Sequence, residues 1–507
     1  MPALAVAAAV LIGLFLNLGA IPLFDVDEGA FGEATREMLA RGDYVSTWLN
    51  DKPRFDKPIL IYWLQAASVR LLGLSEFALR LPSALAASAW IGAIWLFARR
   101  FVDPASGRAA AFIAASTAGI VVIGRGAIAD ALLNLFLALT MFDIVRYAAD
   151  PRPALRRRAF LWIGLGLLTK GPVALLVPGA ASLLAFALQR RLPEWRRAVR
   201  DPVGWAILLA VAMPWYVLEY GRRGDAFLAG FFLRHNVERF IAPLQGHGGS
   251  MLYYLPAVLV LLLPYSGLFL RTLPALRHPR RIRAAPLDCF LWSWFLFVFV
   301  FFSLAATKLP HYLLYGATPL IVLMARQRAA LRSNLLAFAP PLLMLALVAA
   351  LPTLLQRLAP GIRNAYVREA LARPEVFGGA WRIGAAVLLT VLCALALWHG
   401  ASLWRRLAAA GLLCSLALGG LLLPALAGLQ QGPVKEAAQL ARRAGWEVHS
   451  WRINVPSFSV YRGAVTPATP WPAAGQVVLT RSDALPALGP VALLYRKGGI
   501  VLARMPG

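Results

Sequence analysis

Apolar residues run along this chain in stretches of membrane-spanning length, broken by short arginine-rich or acidic connectors. A spanning helix needs about 20 mostly apolar residues. Stretches of that kind fall near 3–22, 78–98, 109–124, 131–145, 159–169, 172–188, 204–219, 252–270, 287–306, 310–325, 334–351, 379–398 and 407–427, which makes 13. The 159–169 piece is short, and Pro172 interrupts its continuation. Residues 3–22 lack a basic leading region and a clear cleavage site, so they are predicted to be a retained first span. Residues 59–73 are too short to span and contain Arg70, which predicts an interfacial helix instead. Beyond residue 428 the pattern changes to a helix over 434–444, strands over 446–453, 458–462 and 476–481, and a strand pair over 490–504. Gly463, Gly475 and Gly498-Gly499 mark the turns. The expectation is an α-helical polytopic membrane protein of about 13 transmembrane helices over 1–427, with outward juxtamembrane helices in a first loop, 23–77. A small soluble α/β domain over 428–507 follows.

Composition agrees with that reading. Of 507 residues, 60% are hydrophobic and only 15% charged, whereas a soluble chain carries about 25% charged residues. The net charge of +27 would ordinarily suggest a nucleic-acid partner. Here the arginines sit in clusters between spans, which excludes that reading. With the N-terminus placed in the cytoplasm, the inward connectors hold 23 of them, for example Arg156, Arg157, Arg158, Arg196, Arg197 and Arg200. The short outward connectors hold only Arg125, Lys170 and Lys308. This asymmetry follows the positive-inside rule and puts the C-terminal domain outside. Cys289, Cys393 and Cys414 lie inside apolar runs and show no paired spacing, so they read as small buried hydrophobes.

The candidate chemistry gathers in outward segments. The loop 23–57 holds Asp25, Asp27, Glu28, Glu33, Glu37, Asp43, Asp51 and Asp56, a third of the acids in the chain. DVDEGAFGEATREMLARGDY predicts a helix from Glu28 to Ala40, with Asp27 either its N-cap or a carboxylate serving as a base at the membrane surface. RFDKP, from Arg54 to Pro58, sets an acid between cations suited to a lipid phosphate; snorkelling to headgroups is the plain alternative. GRGAIAD carries Arg125 and Asp130, either a helix-tying pair or a functional site. LTKGP and TKLPHY each place a cation, Lys170 and Lys308, in a short outward turn. FFLRHNVERF adds Arg234, His235, Glu238 and Arg239. There is no P-loop, dinucleotide fingerprint or G-x-S-x-G. Charges at the outer surface, with no internal repeat, argue against a polyprenyl-lipid flippase or transporter, which would place charge at the midplane.

Taken in order, DEGAFGEATREMLARGDY, RFDKPILIYWL, SEFALRLPSALAA, LTKGP, FFLRHNVERF and TKLPHYLL resemble membrane glycosyltransferases of the GT-C type. Within these they resemble the dolichyl-phosphate-mannose protein mannosyltransferase group, and especially the bacterial lipid A aminoarabinose transferases. The resemblance implies a GT-C fold in the bacterial inner membrane, with a periplasmic active site. It implies an undecaprenyl-type polyprenyl-phosphate sugar donor and an envelope acceptor such as lipid A or lipopolysaccharide; protein O-glycosylation is the alternative. It casts Asp27 as the catalytic aspartate and Asp130 as a second acid at the cavity mouth. Lys57, Lys170 and Arg239 become ligands of the donor phosphate, with Arg54 and Lys308 beside them. Asp56, with His235, would hold a divalent metal. Close relatives read D-E-x-R-Y where this chain has Asp27-Glu28-Gly29-Ala30-Phe31.

Overall fold

A computed structural model describes residues 2–238 and 248–507, with the side chains of residues 235–237 outside that description. Helices dominate it, and the chain is a multi-pass membrane protein. Seven helices are long and apolar enough to cross a membrane: Glu76–Phe101, Asp130–Ala149, Pro202–Arg223, Pro286–Leu304, Asn334–Gly361, Gly379–Leu397 and Leu403–Gln430. Two more of the 13 expected segments are bent pairs, Pro104–Ser116 with Ala118–Gly124 (63°) and Met251–Leu261 with Ser266–Arg277 (119°). The other four are helical but shorter. Ala3–Phe15 and Val173–Leu188 fall below spanning length, Pro153–Lys170 opens with three consecutive arginines, and 310–325 breaks into a short 3₁₀ turn and an 11-residue helix.

The two bends meet inside the protein. Thr117 is extended, and Pro264 lacks an amide hydrogen, so each helix loses backbone bonds at its break. The breaks repair one another: Ala118 N donates to Leu263 O at 2.7 Å, and the Ser116 and Tyr265 hydroxyls lie 2.7 Å apart. Non-helical backbone at membrane depth survives when protein supplies its partners in this way. Around the breaks, the core is dense with aromatic rings. Phe97 stacks on Phe142 at 4.0 Å, and Trp90 donates to Thr318 at 2.8 Å. Cys289 and Cys414 are buried as expected; Cys393 is exposed on its helix.

The first loop forms the helix Asp27–Arg41, closed by Gly42 in the left-handed conformation, a two-residue antiparallel pair (β1, Trp48–Leu49; β2, Lys52–Pro53) and the helix Leu60–Leu72. Leu60–Leu72 is the helix expected to lie at the interface, and it packs on both Asp27–Arg41 and Glu76–Phe101. The last span runs into the helix Gly432–Arg443 and then a four-stranded sheet, β3 (Val448–Ser450), β4 (Val477–Arg481), β5 (Ala492–Lys497) and β6 (Ile500–Arg504), in the order β3-β4-β6-β5. One predicted strand is corrected: 458–462 lies in a helix, Ser457–Arg462. Pro456 sets its entry, Gly463 at φ 76° closes it, and Ser457 is tied to the first loop rather than to the sheet.

Candidate active site

Asp27 is the first residue of its helix, not the cap. Val26 occupies the N-cap position, and no side chain caps there. Asp27 and Glu28 in the first turn still complement the positive end of the helix. Glu28 turns back to accept Phe24 N at 2.9 Å and Ala127 N at 2.7 Å. It also takes a two-pronged bond from Arg80, at 2.8 and 2.6 Å. The remaining Arg80 donors reach the carbonyls of Leu18, Ile21 and Pro22 at 2.6–3.0 Å. Burial alone would raise the Glu28 carboxyl. The Arg80 charge and the two amides overcome it and hold the group below the ordinary range. This buried pair ties the DEGAF, SEFALRL and GRGAIAD segments together and fixes the backbone on which Asp27 stands.

Asp27 itself is exposed, and among the described residues its carboxylate has no hydrogen-bond or ion-pair partner. It lines a cavity of about 190 Å³ with Asp25, Glu28, Arg80, Arg125 and Ile128. On the same helix, Phe31 lies under the Arg54 guanidinium at 5.1 Å and stacks on Tyr62 at 5.2 Å. Asp27 adds to the negative field on Arg54. Asp56 holds both neighbouring cations, Arg54 at 3.1 Å and Lys57 at 2.6 Å. Arg54 Nη1 and the Tyr62 hydroxyl are buried without a hydrogen-bond partner among the described residues. Buried polar atoms are nearly always satisfied by protein, water or ligand, so this pair marks where a ligand oxygen would be received.

Asp130 pairs with Lys170 at 2.6 Å and accepts from the Tyr315 hydroxyl at 3.0 Å, with His311 Nε2 at 3.8 Å. The rings of Tyr312 and Tyr315 lie 5.7 and 5.6 Å from Lys170 Nζ. The Arg125–Asp130 tie read from the sequence is therefore replaced. Arg125 donates instead to Leu16 O, and burial, helped by the Arg80 charge, pushes its pKa down to about 10.

Aromatic contacts draw the other motifs to this cluster. Phe55 of RFDKP meets Phe227 at 6.0 Å, and Phe227 stacks on Phe231 at 5.6 Å. Phe231 lies on Gly171 of LTKGP, where a side chain would meet its ring at 2.6 Å and the backbone is at φ +78°. Lys308 goes elsewhere. It is 5% exposed, and it donates to Ser303, Ala305 and Phe302 carbonyls at 2.5, 2.6 and 3.3 Å, closing the end of the helix Pro286–Leu304. Burial lowers its pKa. Arg239 and the side chain of His235 lie outside the described residues.

Of the expected metal pair only Asp56 falls among the described side chains, since that of His235 lies outside them. The Asp56 carboxylate already serves two cations, and among the described residues no group of three or more His, Cys, Asp or Glu assembles. Tyr315, Arg80 and Asp25 were missed as site residues. Tyr315 stands in an apolar run, Arg80 in a predicted span, and Asp25 acts only through a distant partner.

A family profile described as dolichyl-phosphate-mannose-protein mannosyltransferase matches residues 56–218. The chain is 32% identical over 317 residues to an undecaprenyl phosphate-alpha-4-amino-4-deoxy-L-arabinose arabinosyl transferase of Aeromonas salmonicida, covering 61% of this chain and 57% of that protein. A Yersinia pestis protein of the same name is 33% identical over 310 residues, covering 60% of this chain and 55% of its own. The chain thus spans little more than half the length of these relatives. The whole-chain comparison comes from crystal structures. ArnT from Cupriavidus metallidurans bound to undecaprenyl phosphate superimposes with a TM-score of 0.81 at 20% identity, over 99% of this chain and 97% of that one. The chain has the fold of that ArnT structure. The apo form of the same ArnT matches with a TM-score of 0.78. The match takes in the C-terminal sheet as well as the bundle.

Proposed function

We propose that this chain is a glycosyltransferase of the bacterial inner membrane. It moves a sugar from a polyprenyl (undecaprenyl) phosphate to an envelope acceptor of the lipid A type on the periplasmic face. The supporting observation is an exposed carboxylate, Asp27, whose charge is felt by Arg54, alongside the cations Arg54, Lys57 and Lys170 that Asp56 and Asp130 hold in place. The names of the relatives and the undecaprenyl phosphate in the ArnT crystal structure support the choice of donor.

In the proposed reaction an acceptor hydroxyl oxygen attacks the anomeric carbon, and its proton passes to Asp27. The bond from that carbon to the donor phosphate oxygen breaks, and the polyprenyl phosphate leaves with its electron pair. A positioned base contributes roughly 10²–10⁴-fold. The cations stabilise the charge that develops on the leaving phosphate, which is preorganised electrostatic catalysis. Arg54 and Lys57 receive the phosphate with Arg239, and Lys170 is steered by Asp130 and Tyr315. Lys308 is left out because helix-end carbonyls take its donors.

The arginine asymmetry supports an inward N-terminus and an outward C-terminal domain over 428–507, with the membrane domain over 1–427. The test is mass spectrometry of envelope lipids from cells with and without the protein, together with transfer by purified Asp27→Asn protein. A sugar-sized mass increment on lipid A that vanishes with Asp27→Asn is expected. An increment on protein alone would replace the acceptor by a polypeptide, and undiminished transfer by Asp27→Asn would sink the assignment.

A further inference from the structure

Two residues before Asp27, the Asp25 carboxylate is gripped from the far end of the chain. It accepts the Ser457 amide at 2.9 Å and the Ser457 hydroxyl in a short bond. With its amide turned to face the carboxylate, Gln431 donates to Asp25 Oδ2 at 3.0 Å and accepts from Asp25 N at 3.2 Å. Gly29 makes the fit possible: a side chain there would come within 1.9 Å of Asp25 Oδ1 and 2.5 Å of Ser457 N. This accounts physically for glycine in Asp27-Glu28-Gly29. Flanking contacts repeat the pattern. The Tyr461 hydroxyl accepts from Leu23 N at 2.7 Å, Asn50 Oδ1 accepts from the Ser459 hydroxyl at 2.7 Å, and Lys435 pairs with Glu76 at 2.5 Å. Chain segments on both sides of the Asp27 helix are therefore bonded to residues 435–461.

From this we infer that the C-terminal unit sets the position of the proposed base, with Asp25 as the positioning residue that transmits its hold to Asp27. The inference rests on the transferase reading for its catalytic consequence, but not for its mechanical half. Asp25 touches no reacting group. It fixes the backbone entering the helix, so that the Asp27 carboxylate meets the acceptor hydroxyl in line with the anomeric carbon. Misplacement of a reacting group by 1 Å can cost on the order of 10²-fold in rate. A clasp of this kind also lets the C-terminal unit report on the active site, because any partner that lifts Ser457 from Asp25 would slow transfer without entering the cavity.

The experiment compares wild type with Asp25→Ala, Asp25→Asn, Ser457→Ala and Gly29→Ala in the full-length protein in detergent. It reads hydrogen exchange over residues 23–31 and the steady-state constants for sugar transfer. Asp25→Ala and Ser457→Ala are expected to speed exchange in that segment and to lower kcat roughly 10- to 100-fold, with KM for the donor within about twofold because the cations are untouched. Asp25→Asn, which keeps an oxygen facing the Ser457 amide, should recover much of the loss. Gly29→Ala should reproduce it sterically, while the near-isosteric Asp25→Asn guards against a variant that fails to fold. Faster exchange with unchanged kcat would reduce the clasp to a structural role and overturn the inference, as would unchanged exchange. If wild type transfers no sugar, the transferase reading fails, and the exchange data still decide whether the clasp holds the loop.

Discussion

Replacing Arg80 by methionine tests whether the buried pair with Glu28 holds the first loop in place. The substitution preserves bulk and helix propensity but removes five hydrogen bonds, two to Glu28 and three to the carbonyls of Leu18, Ile21 and Pro22. Arg80 is 3% exposed and Glu28 5% exposed. Little of either side chain is open to water, and breaking a buried pair by removing one side costs about 3–5 kcal/mol. The Phe24 and Ala127 amides still bond Glu28, which argues for the lower part of that range. The assay is thermal unfolding of the detergent-solubilised protein, run as a cycle with Glu28→Gln and the double variant. The double variant should be less destabilised than Arg80→Met alone, because it leaves no buried charge unpaired. In Arg80→Met, stability should also recover as pH falls from 8 to 6, since Glu28 without Arg80 is free to take up a proton in the folded state. An Arg80→Met midpoint equal to wild type, or effects that add to within about 0.5 kcal/mol, would refute the reasoning.

Other expectations follow from the same geometry. Lys170→Met should abolish transfer and lower expression, because it leaves Asp130 buried without its cation; Lys170→Met with Asp130→Asn should restore expression but not transfer, read by size-exclusion chromatography and product analysis. Gly171→Ala should destabilise by more than about 1 kcal/mol, because φ is +78° and Phe231 stands where the methyl group would go; thermal unfolding checks it. Desolvation pushes Asp25 and Glu33 up to about 7. Both then hold protons in the folded state that they release when unfolded, so the stability they contribute is complete below their ordinary carboxylate range and lost as pH rises to about 7. The thermal midpoint should fall between pH 5 and pH 8, and Glu33→Gln should flatten that fall. Arg54→Lys keeps the charge but loses the contact with Phe31, and it should raise KM for the donor more than it lowers kcat.

Most helices were legible because spanning runs are written in composition: a 20-residue apolar stretch needs no distant partner to be recognised. The helix Asp27–Arg41 was legible to within one residue at each end, as Glu28 to Ala40 in the run DVDEGAFGEATREMLARGDY. Long-range partners could not be read in this way. Local spacing suggested Arg125 for Asp130, but Lys170 lies 40 residues on and is the group that reaches it. Ser457–Arg462 alternates like a strand and folds as a helix, because Ser457 bonds to Asp25 across 432 residues of chain. The bends inside two of the apolar runs were not legible for a related reason. A run such as 109–124 is apolar throughout, and its break at Thr117 is sustained by Leu263 and Tyr265 beside the break in another bent helix.

The charge of the site carries the last step. Arg54, Lys57 and Lys170 contribute three positive charges, and Asp56 and Asp130 return two. With Asp27 ionised, these six residues sum to zero, though they are not uniform: the cations are tied to buried or half-buried carboxylates, whereas Asp27 has none of them within bonding distance. A phosphate entering beside Arg54 and Lys57 meets side chains already held in place, so little rotamer entropy remains to be lost on binding. In the proposed reaction, negative charge grows on the leaving phosphate beside the cations while Asp27 loses its charge to a proton. The site changes charge distribution without changing total charge. That is an arrangement suited to the proposed transfer, because charge moves within the site without a net imbalance to be compensated.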